Sequence, residues 1–409
     1  MSLQVTTDPA EVGVDAARLA RADAHLARYV DEGRLAGWQL LVTRRGRTVH
    51  SSTYGSRDLE ADLPVEPDTL WRIYSMTKPI TSVVAMQLVE EGAVRLQDEV
   101  SRYLPAFADA QVLVGGNVDQ PKTRPATEPV RLWHLLTHTA GLSYAFTRSS
   151  LLDDLYARRG ADPLSSPDLS LAQMCDRWAS LPLLFEPGSA WNYSVATDVL
   201  GRVVEVVTGQ RLDEAFAERV LRPLGMHDTR WWVEGDDVAR LAALYAADPS
   251  TGRAVRYDAM GRHALSEPAL HSGGGGLVST AADYARFTAM LLGGGQLDGV
   301  RVLGPRTLAY MGRNHLPGGG TLASLGRGQF AEVAYDGVGF GLGFSVSVDP
   351  VATKVPATPG ELAWGGLAST AFWVDREEDL AVHFFTQLVP SSTYPVRAEL
   401  RQLVYASLT

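Results

Sequence analysis

Cysteine is almost absent from this chain: Cys175 stands alone among 409 residues. That excludes an internal disulfide and a cysteine-built metal cage, and a lone cysteine reads as a small buried apolar residue. No segment approaches 18 uninterrupted apolar residues, so no membrane span is expected. The opening MSLQVTTDPAEVGVD lacks a basic start followed by an apolar run, and cytoplasmic residence is the expectation. Positive charge is in deficit: the formal net charge is -10, which disfavours nucleic acid or an anionic membrane as partner. Gly-x-Ser-x-Gly does not occur, which removes the α/β-hydrolase elbow. His134 and His138 are four residues apart, yet no His-Glu-x-x-His surrounds them, so no metal or other cofactor is expected. HSGGGGLVST has no Gly-Lys-Ser/Thr after it, so it reads as a flexible turn before a helix rather than a phosphate loop. Lysine is scarce too: only Lys78, Lys122 and Lys354 among 37 basic residues.

What is present is an ordinary globular composition, 45% hydrophobic and 21% charged, over a length that suits two structural regions. Residues 15–32 carry Leu19, Ala22, Leu26 and Val30 at helical spacing. WQLLVTRRGRTVHSSTYG reads as a hairpin turning at Arg-Gly. ITSVVAMQLVEEG is apolar on most faces, the pattern of a buried helix that Gly92 stops. Residues 95–265 hold helical stretches such as LAQMCDRWASL and ATDVLGRVVEVVTG, separated by loops such as VGGNVDQPKTRPATEP. Thr280 and Asp283 have the spacing of a capping box before AADYARFTAMLL. VGFGLGFSVSVD, ELAWGGLASTAFWVD and DLAVHFFTQL read as antiparallel strands, and VRAELRQLVYASL as a closing helix. The fold class is therefore α/β (α+β): an antiparallel sheet flanked by helices, assembled from 1–90 and 266–409, with a mainly helical domain at 91–265 and a site where the two meet.

Three motifs carry chemistry. Ser75 and Lys78 are i and i+3 at a strand-to-helix junction, so they share one helix face. A serine hydroxyl is a poor nucleophile until a base takes its proton, and a buried lysine can be that base. Taken alone, the pair is equally a structural coincidence. Tyr193, in WNYSVATD, is a phenol at a helix entrance; it could relay a proton or simply pack there. Trp364-Gly365-Gly366 places two glycines in a strand, either a bulge or a place where another backbone or a ligand comes close. The aromatics Tyr144, Trp191, Trp364 and Trp373 could line an acyl pocket or belong to the core.

Together the three motifs resemble the serine β-lactamase and penicillin-recognising fold, and within it the class C β-lactamase-like family that includes family VIII carboxylesterases. HLLTHTAGL (134–142), RPLGMHDT (222–229) and GGLVSTAADYARF (275–287) resemble that family's other landmarks in order. The resemblance implies Ser75 as the acylated nucleophile, Lys78 as its activating partner and Tyr193 as the tyrosine of the Tyr-x-Asn element. It implies an oxyanion hole from the N–H groups of Ser75 and Leu367. Trp364, Gly365 and Gly366, with Tyr144 and Trp191, would meet substrate, and His134 and His138 would pack around the floor of the site. Two departures stand out: Val195 occupies the Asn position of Tyr-x-Asn, and Trp364 the Lys position of Lys-Thr-Gly. Both replace polar anchors for an anionic β-lactam with apolar surface, which favours a neutral ester. The expectation is a serine carboxylesterase for short acyl esters. A β-lactamase, a D-amino-acid-peptide hydrolase, an acyltransferase or a non-catalytic binding protein on the same fold are the alternatives.

Overall fold

The computed structural model describes residues 4–163, 166–327, 332–391 and 393–409. Its first helix, α1 (Ala16–Asp31), is capped by Asp15, whose side chain accepts from the Arg18 N–H. Leu19, Ala22 and Leu26 are buried as expected, but Tyr29 rather than Val30 completes the buried face. The Tyr29 hydroxyl finds an acceptor in Glu399 at 2.7 Å, so this position can be both packed and satisfied. Strands β1 (Gly37–Arg44) and β2 (Arg47–Asp58) form the hairpin, and β3 (Leu63–Pro64) follows. Helix α2 (Thr77–Glu90) is buried on nearly every side, and Gly92 beyond it takes φ 72°, the left-handed conformation that ends a helix.

Helices α3 (Leu171–Ala179) and α4 (Ala196–Thr208) match the expected stretches. The segment read as a Pro/Gly-rich loop instead forms a hairpin, Gln111–Gly116 against Pro121–Pro125. Pro121–Pro125 is the outer strand, so its prolines cost it little, while Leu183 bridges the other side of Gln111–Gly116 at Val112. The middle region also contributes Tyr245–Ala247, which pairs in parallel with Leu388–Val389.

Helix α5 (Ala281–Leu292) has half the expected capping box: Thr280 accepts from the Asp283 N–H. The Asp283 carboxylate turns away, to the Asp228 N–H and the Thr229 hydroxyl. Strands β4 (Val338–Phe340), β5 (Ser345–Ser347), β6 (Leu362–Gly365), β7 (Ala371–Asp375) and β8 (Leu380–Phe385) precede α6 (Val396–Tyr405).

The eight strands make one antiparallel sheet in the order β4–β5–β6–β7–β8–β1–β2–β3. Its two faces follow from the strand period of two. Leu40, Val42, Val382 and Phe384 pack with Leu19, Leu26, Leu400 and Val404 of α1 and α6. Leu41, Ala381 and Phe385 belong to the other cluster, with Ile80, Val83, Tyr284 and Phe287 of α2 and α5. That second cluster continues into Trp178, Val199 and Phe216 of the middle region. Among the described residues no helix is long and apolar enough to cross a membrane.

Candidate active site

Ser75 lies in the single 3-10 turn Tyr74–Met76, between the short strand Trp71–Arg72 and α2. Tyr74 takes φ 42°, left-handed for a non-glycine residue, and this sharp turn sits directly before Ser75. Both Ser75 and Lys78 are buried, 8% and 2% exposed, at the N-terminal end of α2, where the helix dipole favours developing negative charge.

The Ser75 Oγ lies between two side chains. The Tyr193 hydroxyl donates to it at 2.6 Å, and the Lys78 Nζ stands 3.3 Å away. Lys78 also reaches the Tyr144 hydroxyl at 3.0 Å and the Gly274 carbonyl at 2.6 Å, and its Nζ lies 4.5 Å from the centre of the Tyr193 ring. Burial pulls the lysine down to about 8, and the charges of Asp198 and Glu332 oppose the drop. Burial pushes the Tyr193 phenol well above its ordinary range, with the Glu332 charge adding to it. Tyr193 is therefore a neutral phenol at rest. A neutral Lys78 amine can spend its two N–H bonds on Gly274 and Tyr144, and its lone pair then faces the Ser75 proton. This is the arrangement of an activated serine nucleophile.

Sequence reasoning missed Asp198 and the glycine strap at 273–276. Asp198, 2% exposed on α4, accepts from the Ser272 hydroxyl at 2.5 Å and the Gly274 N–H at 3.0 Å. Burial raises its carboxyl, and the Lys78 charge lowers it. Asp198 and Thr81 hold the two ends of the Gly273–Gly274 peptide, directly before the Gly274 carbonyl that meets Lys78. The strap is a packed element, not a flexible turn: Thr81 donates to the Gly273 carbonyl at 2.6 Å, and a Cβ on Gly274 would strike the Asp198 carboxylate. The signal was available in WNYSVATD, where an acid interrupts the apolar face of a helix.

Strand β6 brings the third element against the serine turn. Gly366 lies on the Ile73 carbonyl so closely that a Cβ would collide with it, and Gly365 faces the Arg397 guanidinium just as tightly. The close-approach reading of the two glycines is thus the one the structure adopts. The Gly366 N–H is spent on the Thr370 carbonyl at 2.9 Å, whereas the Leu367 N–H has no hydrogen-bond partner among the described residues.

Other expected contacts fall elsewhere. Trp191 is wholly buried and stacks behind Tyr193, ring centres 6.3 Å apart, so it supports the phenol instead of facing substrate. Trp364, 1% exposed, packs against Tyr193 and Phe340 and offers no open surface. Trp373 is on the opposite face of the sheet, under the Arg401 guanidinium. Tyr144 is half-buried with its hydroxyl on Lys78, and its ring stacks on the exposed Phe146 at 4.8 Å. His138 does sit beside the site, 4.9 Å from the Tyr193 ring, with Nδ1 3.2 Å from the Ser194 hydroxyl. Burial, then the Lys78 charge, holds it well below the usual histidine range, so it is neutral. His134 accepts from the Arg131 N–H at a helix start and takes no part in the site.

An antiparallel sheet, a buried helix led by Ser-x-x-Lys, a tyrosine from the middle region and a Gly-Gly strand are combined as in the serine β-lactamase and penicillin-recognising fold. The Beta-lactamase family model matches residues 22–406, and the chain belongs to that family. Protein Rv1367c of Mycobacterium tuberculosis is 37% identical over 370 residues, covering 90% of this chain and 89% of that protein. Esterase EstB of Burkholderia gladioli is 34% identical over 420 residues, covering 98% of each. Among solved structures, EstCE1, described as a hydrolase with promiscuous acyltransferase activity, superposes with a TM-score of 0.80 at 30% identity, covering 95% of this chain and 99% of its own.

Proposed function

We propose that this protein is a serine carboxylesterase that cleaves short-chain acyl esters through an acyl-enzyme on Ser75. The observation that carries the reading is the Ser75 Oγ held between Tyr193 at 2.6 Å and Lys78 at 3.3 Å. Neutral Lys78 takes the Ser75 proton as Oγ attacks the ester carbonyl. The N–H groups of Ser75 and Leu367 hold the oxyanion. The C–O bond to the alcohol breaks, the leaving oxygen takes the Tyr193 proton, and the Lys78 ammonium restores the phenol. Water then attacks the acyl-enzyme by the reverse path. The site lies where the discontinuous α/β part meets the inserted mainly helical part, and a cytoplasmic setting goes with this reading.

Ester over β-lactam is supported by Val195 and Trp364, which leave no amide or ammonium where the β-lactam side chain and carboxylate would be held. The similarity to EstB, an esterase, points the same way. The similarity to EstCE1 supports a second reaction of the same acyl-enzyme, transfer to an alcohol in place of water.

A fluorophosphonate should add one phosphonyl group, visible by intact mass and mapped to the peptide holding Ser75. p-Nitrophenyl butyrate should turn over faster than nitrocefin. Labelling at another residue removes Ser75 from the mechanism, and faster nitrocefin turnover reverses the substrate assignment.

Gly366→Ala probes the close approach of β6 to the serine turn. The new methyl must push Ile73 or Thr370 aside. A displacement of about 1 Å at a reacting centre costs on the order of 100-fold. The expected result is a loss of that size in kcat, measured with p-nitrophenyl butyrate on protein that is still folded by circular dichroism.

A further inference from the structure

We infer that Arg397, in the first turn of α6, is a positioning residue that holds the oxyanion turn in place. The inference rests on the esterase reading above, in which the Leu367 N–H is the second oxyanion donor.

The turn after β6 is closed by two hydrogen bonds, Gly366 N–H to the Thr370 carbonyl at 2.9 Å and Ser369 N–H to the Gly366 carbonyl at 3.0 Å. Leu367 rides on it. Arg397 grips both ends: its Nη2 donates to the Gly366 carbonyl at 2.8 Å and to the Thr370 carbonyl at 2.8 Å. Its Nη1 donates to the Glu332 carbonyl at 2.6 Å, and Nη2 stands 2.8 Å from the Glu332 carboxylate, which is wholly buried. A planar fork can serve several carbonyls at once with its geometry fixed, which a lysine ammonium on a flexible stem cannot.

The room for this grip comes from Gly365. Any side chain there would occupy the guanidinium's position. The two glycines therefore have separate duties: Gly366 lets the strand lie on the serine turn, and Gly365 admits the arginine that fixes the strand's exit. The turn has other ties, from the Leu388 N–H to the Ala368 carbonyl at 3.1 Å and from the Ser369 hydroxyl to the Leu388 carbonyl at 2.7 Å. Loss of Arg397 should therefore loosen the Leu367 N–H without unmaking the turn.

The test uses Arg397→Lys, which keeps a positive charge beside Glu332. If that variant does not fold, Arg397→Met combined with Glu332→Gln removes both charges together. The folded variant should lose about 10- to 100-fold in kcat with KM within about twofold, because a displaced oxyanion donor weakens the transition state and not ground-state binding. The rate of fluorophosphonate labelling at Ser75 should fall in parallel. In Arg397→Ala, millimolar ethylguanidinium should restore part of kcat, while sodium chloride at equal ionic strength should not. A folded variant with unchanged kcat overturns the inference, as does a loss confined to KM. Absence of Ser75 labelling in the unaltered protein would instead count against the esterase reading itself.

Discussion

Ser75→Ala is expected to lower kcat for p-nitrophenyl butyrate by about 10⁶-fold, the order lost when the nucleophile of another acyl-transfer enzyme is removed. The change is small in structural terms. Ser75 is 8% exposed and, among the described residues, its Oγ hydrogen-bonds only with Lys78 and Tyr193. Lys78 keeps Tyr144 and Gly274, so the charged neighbourhood survives the loss of the hydroxyl. The variant should fold, bind ester and fail to form the acyl-enzyme, with the fluorophosphonate adduct absent by intact mass. Near-normal turnover would mean that another group is acylated.

Lys78→Arg is the second large effect. Arginine retains a positive charge but cannot give up a proton near neutral pH. It should reduce kcat/KM by about 10³-fold, within the range that general-base catalysis supplies. The pH profile separates this from simple crowding by the larger side chain. Burial brings the Lys78 amine down to about 8, so acylation by the unaltered enzyme should climb as pH rises through that value. The arginine variant should lack that limb. Stability carries the matching signature. Between about 8 and the ordinary lysine value of 10.5 the unfolded chain holds a proton that the folded chain has lost. The penalty for burying the charge is thus complete below 8 and fades by 10.5, and stability should rise with pH across that window. A flat profile for both enzymes would remove Lys78 from proton transfer.

Local rules made the candidate nucleophile legible. Ser75 and Lys78 are one helical turn apart, and lysine is rare enough here for its placement to mean something. Tyr193 and the Gly-Gly strand became readable through their order along the chain. Asp198 did not, because its partners Ser272 and Gly274 are 74 and 76 residues away along the chain and no spacing rule links them. Apolar patterning recovered β1, α2 and the late strands, where nearly every residue is buried. It failed for the Gln111–Gly116 hairpin, whose glycines and prolines look like loop punctuation unless the strand is known to be an edge. It also failed to say which way the tryptophans point. Trp191 and Trp373 are aromatic and apolar in any reading, and only the packing of sheet and helices puts one behind Tyr193 and the other across the sheet. The Thr280–Asp283 box is half right for a related reason: the spacing is local, but the competing donors at Asp228 and Thr229 are not.

Strand β1 sits in the interior of the sheet, with β2 on one side and β8 on the other, paired from Gln39 with Phe385 to Arg44 with Leu380. All eight of its residues are buried. During synthesis the β1–β2 hairpin leaves the ribosome early, but the strand that covers its other edge arrives only after most of the chain has been translated. In that interval β1 is an apolar ribbon with open backbone donors and acceptors, the form most prone to pair with a neighbouring chain. This architecture is expected to fold slowly, since distant pairings must wait for loop closure over almost the whole length of the polypeptide.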